Sequence, residues 1–83
     1  MILDIKKYKL DSIELSLREM KLLLLLSDNM FHSTNECLEY CDIFTSASIT
    51  KIRDRVNKKF GKNIITNKYR YGYKTNVQIK INY

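Results

Sequence analysis

Apolar residues at Ile49, Ile52, Val56 and Phe60 recur every three or four positions, the spacing that aligns side chains along one side of a helix. A helix over about 46–60 follows, with Ser46 or Ser48 as its N-cap and Gly61 as the left-handed residue that closes it. Its other face reads Thr50, Lys51, Arg53, Arg55, Asn57 and Lys58, with Asp54 as the single acid. Upstream, Ser16-x-x-Glu19 and Ser33-x-x-Glu36 both have capping-box spacing, so two further helices are expected. The first runs to about Ser27 or Asp28 with Met20, Leu23 and Leu24 facing the core. Leu22, Leu25 and Leu26 widen its apolar arc, which implies cover on two sides. The second runs over about 34–41 and buries Cys37, Leu38 and Cys41, and Asp42-Ile43-Phe44-Thr45 is a short connection into the third. Asp28-Asn29 reads as a turn and Met30-Phe31 as a short apolar lead into the second cap.

Outside the helices the period changes to two. Residues 1–15 alternate loosely and predict two short strands, about 2–6 and 8–15, with a bend at Asp11-Ser12. After Gly61, Ile64-Ile65-Thr66 and residues 71–75 are β-prone and flank the polar stretch 67–70, the pattern of a hairpin. Val77, Ile79, Ile81 and Tyr83 then alternate with polar residues as a half-buried strand does. Short strands, three helices and a C-terminal β-hairpin make an α+β winged helix-turn-helix, in one domain spanning 1–83.

Charge separates the two ends of this plan. Residues 1–50 carry five Lys or Arg against eight acids, a balance of −3, whereas residues 51–83 carry ten against Asp54 alone, a balance of +9. Such a polarised chain favours an anionic partner on its basic side, and nucleic acid is the first candidate. A membrane surface is not expected, because the basic helix has no bulky apolar face beyond its core stripe. The longest apolar run, residues 22–26, is far too short to span a bilayer, and there is no leader-like N-terminus, so a cytoplasmic protein is expected.

Candidate chemistry is sparse. Cys37 and Cys41 lie one helical turn apart, where a disulfide would close almost no loop, and are expected to be buried, reduced thiols. His32 and Asp42 could be added to them as metal ligands, but the paired short-loop spacing of structural zinc is missing. His32 has no serine or cysteine partner suited to catalysis. No enzyme activity, cofactor or metal is expected.

The chain resembles the C-terminal DNA-binding domain of OmpR/PhoB-type response regulators. The first helix of that family reads like L-T-x-x-E-F-x-L-L, here Leu15-Ser16-Leu17-Arg18-Glu19-Met20-Lys21-Leu22-Leu23. Its second helix starts at a serine, here Ser33, and its third ends in a pattern like R-x-L-R-K-K-L-G, here Asp54-Arg55-Val56-Asn57-Lys58-Lys59-Phe60-Gly61. Its wing ends in G-Y-R/K, here Gly72-Tyr73-Lys74. The match extends from Ile13 to Lys74. Asn67, Lys68, Tyr69 and Arg70 stand where the family's wing reads T-V-R-G, and the connection from Cys41 to Ser48 is shorter than the loop with which the family commonly touches RNA polymerase. No receiver domain stands ahead of Met1, and the expectation is either an excised effector domain or a stand-alone regulator.

The resemblance implies a sequence-specific, double-stranded DNA-binding transcriptional regulator, with RNA polymerase and a second copy on DNA as further partners. The third helix would enter the major groove, with Ser48, Lys51, Asp54 and Arg55 at base edges and Thr50 beside them. Asn57 and Lys58 would touch the phosphate backbone. Ser33 and Thr34, at the start of the second helix, would hold phosphate, and Asn67, Lys68, Tyr69 and Arg70 would carry the wing's contact over about 65–74. Two other classes use the same features. One is a protein-association module anchored by its tyrosines, and the other is an RNA binder that stacks bases on them.

Overall fold

Ser16 and Ser33 both start helices, but only Ser16 completes the reciprocal cap. In the computed structural model, which describes residues 1–83, the Ser16 hydroxyl accepts from the Glu19 N–H at 3.2 Å and the Glu19 carboxylate accepts from the Ser16 N–H at 2.7 Å. Helix α1 follows, Leu17–Leu25, and tightens into a 3₁₀ turn, Leu26–Asp28, ended by Asn29 in the left-handed conformation. At helix α2, Thr34–Cys41, the Ser33 hydroxyl accepts from the Glu36 N–H at 3.1 Å, whereas the Glu36 carboxylate turns away to His32. Helix α3 is Ser46–Phe60. Its N-cap is Thr45 rather than Ser46 or Ser48, because Thr45 is the last residue with extended backbone angles and its hydroxyl accepts from the Ser48 N–H. Gly61 closes the helix at φ 67°.

The N-terminal segment forms three short strands where two are expected: β1 (Ile2–Asp4), β2 (Lys9–Leu10) and β3 (Ile13–Glu14). The chain reverses twice because Tyr8 and Asp11 both take left-handed angles, and Asp4 anchors the first reversal by accepting from the Lys6 and Lys7 N–H groups. The wing is the antiparallel pair β4 (Ile65–Lys68) and β5 (Gly72–Thr75), so Asn67 and Lys68 belong to a strand and the turn is confined to residues 69–71. Of the alternating C-terminal run, only Lys80–Asn82 forms a strand, β6. It lies parallel to β1 and gives a four-stranded sheet of order β3-β2-β1-β6. Val77 and Ile79 pack against the core outside any ladder.

These elements make the α+β winged-helix layout, in which α1 packs against α2, α3 and β1. Leu22, Leu23 and Leu26 are fully buried and Met20 nearly so, while Leu24 and Leu25 are half-buried. The inward face is therefore rotated towards Leu22 and Leu26 from the expected Leu23–Leu24 line. Among these apolar groups Glu19 is 2 % exposed and meets the Lys59 ammonium at 2.6 Å, which ties α1 to α3. Burial alone would raise the Glu19 carboxyl, but the hydrogen bonds from Lys59 and the Ser16 N–H and the Lys59 charge outweigh it and hold the group below its ordinary range.

Leu23→Ala is expected to cost about 2–5 kcal/mol in chemical denaturation, as fully buried leucines do, and Leu24→Ala clearly less. Equal losses at the two positions would contradict this placement of α1.

Candidate nucleic-acid interface

The polar side of α3 divides into two stripes with different fates. Thr50, Arg53 and Asn57, spaced i, i+3, i+7, turn towards the wing. The Asn57 amide donates to the Ile65 carbonyl and its oxygen accepts from the Ile65 N–H, both at 2.9 Å, so it stands in for a missing strand partner. The Thr50 hydroxyl lies 3.2 Å from that of Tyr73, and the Arg53 guanidinium donates to the Asn67 side chain. Lys51, Arg55 and Lys58, spaced i, i+4, i+7, form the second stripe. All three are exposed, and none of their side chains has a hydrogen bond or ion pair within the protein.

This division revises several expected contacts. Asn57 is committed to holding the hairpin, and its amide is not free to reach phosphate. Thr50 is half-buried against Tyr73. Asp54, expected at a base edge, pairs at 2.9 Å with Arg53. Ser48 stays at the start of the helix, its hydroxyl 2.8 Å from that of Thr45. Lys59, the remaining cation of α3, is held by Glu19 and the Glu14 carbonyl.

The other side of the wing is fixed to the start of α2. His32 and Tyr73 exchange two backbone hydrogen bonds at 2.8 Å, a single antiparallel bridge that brings β5 against the residue before the Ser33 cap. The approach is so close that a Cβ on Gly72 would lie 1.9 Å from the His32 carbonyl oxygen, and Gly72 itself sits at φ 100°. A glycine is obligatory here on both counts. Ser33, Thr34, Asn67, Lys68, Tyr69 and Arg70 consequently line one cleft of about 300 Å³. At the tip, Arg70 takes a left-handed φ of 72°, and its guanidinium lies over the Tyr69 ring, which is 83 % exposed.

His32, for which the sequence offers no serine or cysteine partner suited to catalysis, is held by two carboxylates: Nδ1 is 2.6 Å from Glu36 and Nε2 2.9 Å from Asp28. Burial would lower its pKa, but hydrogen bonds to Glu36 and Asp28 and their charges prevail and raise it above the ordinary value. The Asp28, His32, Glu36 spacing of four and four was the available signal, obscured because the segment is not one continuous helix. Asp42 meets Lys21 at 3.4 Å, so neither residue that a metal reading would add lies free beside the cysteines. Cys37 and Cys41 are buried, and burial pushes their thiols up to about 12 and about 11, which keeps both protonated at neutral pH.

Two outcomes follow from these contacts. Gly72→Ala is expected to destabilise the domain by more than about 1 kcal/mol, since it adds a backbone clash to an unfavourable φ, whereas Gly61→Ala, with nothing within 4 Å of its Cβ, meets only left-handed strain of about 1 kcal/mol. Because the folded pKa of His32 is raised, its contribution is complete below the unfolded value of about 6.5 and is lost as pH rises through the folded one. The urea midpoint should therefore fall as pH rises from about 6.5 through the raised folded pKa of His32, and His32→Gln should remove that fall.

No protein-family model matches the chain and no curated protein matches it, so any functional reading rests on the geometry of this face.

Proposed function

We propose that the protein is a sequence-specific double-stranded DNA-binding regulator of transcription. The observation that supports this reading most is the stripe of Lys51, Arg55 and Lys58. Three cations along one exposed side of a rigid helix, with no internal partner, are satisfied by a partner that is itself a row of anions. Structural ion pairs account for Arg53 and Lys59 and leave these three unaccounted for.

The major groove of B-form DNA, about 12 Å wide, admits a helix such as α3. Arg55 near its middle is the residue suited to a bidentate contact with guanine O6 and N7, because its planar fork matches those two acceptors. Lys51, one turn nearer the N-terminus, reaches base edges or the flanking phosphates, and Lys58 reaches the backbone and sets the register. Ser33 and Thr34 bring backbone N–H groups and a hydroxyl at the start of α2 towards phosphate. Lys68, Tyr69 and Arg70 extend the contact along the wing to the minor groove, whose narrow A·T-rich stretches attract inserted cations. A second copy on a repeated half-site and a contact to RNA polymerase are extensions of this reading. Phe44, 95 % exposed in the connection before α3, is the side chain available for the latter.

Arg55→Ala is expected to cost specific binding about 1–3 kcal/mol and to leave random-duplex binding much less affected, whereas Lys58→Ala weakens both alike and lowers the salt slope by about one unit. Titrations of labelled duplexes at two salt concentrations check this. Loss of specific and random affinity by the same factor in Arg55→Ala would remove α3 as the reading element.

A further inference from the structure

The wing has a second face, of which the duplex reading uses Lys68 alone. Side chains alternate across a strand pair, and Asn67 and Tyr73 point at α3, so Lys68 and Lys74 emerge on the opposite side. There they meet two aromatic rings. Phe31, from the segment before α2, and Tyr71 lie 5.6 Å apart at 46°, with the Lys68 ammonium 4.8 Å from the Tyr71 centroid and the Lys74 ammonium 5.3 Å from that of Phe31. Tyr71 is 57 % exposed, Phe31 38 % and the neighbouring Met30 65 %. Flexible cations therefore cover part of an aromatic surface that no other element of the protein buries.

The chemistry of this patch restricts its occupant. An apolar protein surface would bury the rings but leave two ammonium groups desolvated without a partner. An acidic peptide would pair the ammonium groups and leave the rings in water. A duplex presents phosphates but keeps its base faces stacked inside. An unpaired polynucleotide strand offers a flat π-face and a negative charge at every residue, and each lysine can exchange its ring for a phosphate as a base takes its place. Telling RNA from DNA depends on a hydrogen bond to the 2′-hydroxyl, and the nearby Thr66 hydroxyl is directed to Asn76 at 3.4 Å. We propose that the Phe31–Tyr71 surface, flanked by Lys68 and Lys74, binds an unpaired DNA strand by stacking its bases.

The site is separate from the α3 stripe, so each can be tested without the other. Fluorescence anisotropy of the full chain with a labelled run of about ten deoxythymidines, the matching uridine run and a random duplex provides the measurement. The single DNA strand should bind, and Phe31→Ala combined with Tyr71→Ala should weaken it by about tenfold or more, with duplex affinity within about twofold of the parent. Tyr71→Phe should retain single-strand binding, because the ring and not the hydroxyl is used. Arg55→Ala should leave single-strand affinity unchanged whether or not it alters duplex binding, so failure of the duplex reading and failure of this one are distinguishable. Absence of single-strand binding, an undiminished affinity in the double variant, or tighter binding of the uridine run would overturn the proposal.

Discussion

The hairpin can present its charged tip only because it is held from both sides at once. A lone two-stranded ribbon is marginal in water. Here Asn57 supplies β4 with the donor and acceptor of an absent neighbouring strand, and the His32–Tyr73 bridge does the same for β5. Each attachment depends on a small steric or chemical detail. An amide suits position 57 because it presents a donor and an acceptor side by side, as a backbone peptide unit does, and Gly72 is needed because any side chain would strike the His32 carbonyl. Through these contacts the orientation of the wing becomes a property of α2 and α3, not of its own two strands.

The same contacts sort the cations of α3. Arg53 and Lys59 have protein partners, and their positions follow from what α3 must touch: the wing at Asn67 and the buried Glu19 of α1. Removing Lys59 would strand the charge of Glu19, whose buried carboxylate has no water to fall back on. Lys51, Arg55 and Lys58 are what remains once the fold has taken its share. An overall charge of +6 is therefore a poor guide to the interface, and the division between engaged and free cations is a better one.

Much of the fold was legible from local chemistry. The two serine caps, the apolar stripe of α3, its closing Gly61 and the hairpin are all short-range features whose signals lie within a few residues of one another. The errors have a common origin in long-range packing. Which leucines of α1 face inward depends on where α3 and β1 sit, so Leu22 and Leu26 are buried where Leu24 is not. Asn57 looks like any exposed polar residue until Ile65 is brought beside it, and Glu36 looks like half of a capping box until His32 competes for its carboxylate. Phe31 reads as a loop residue, and only the bridge at His32 brings its ring to Tyr71.

The four-stranded sheet pairs Ile2, Leu3 and Asp4 with Lys80, Ile81 and Asn82. Contacts so distant in sequence carry a higher loop-closure cost than those within the helices and the hairpin. β1 is thus synthesised first yet cannot complete its hydrogen bonding until residues 80–82 have emerged from the ribosome. Until then its outer edge is an open template for pairing, and Ile2 and Leu3 rely on the antiparallel ribbon with β2 alone. The helix-and-wing portion needs none of this closure for its own local contacts. Nascent chains of this protein would therefore pass through a stage in which α3 and the wing are assembled while the four-stranded sheet is still unfinished.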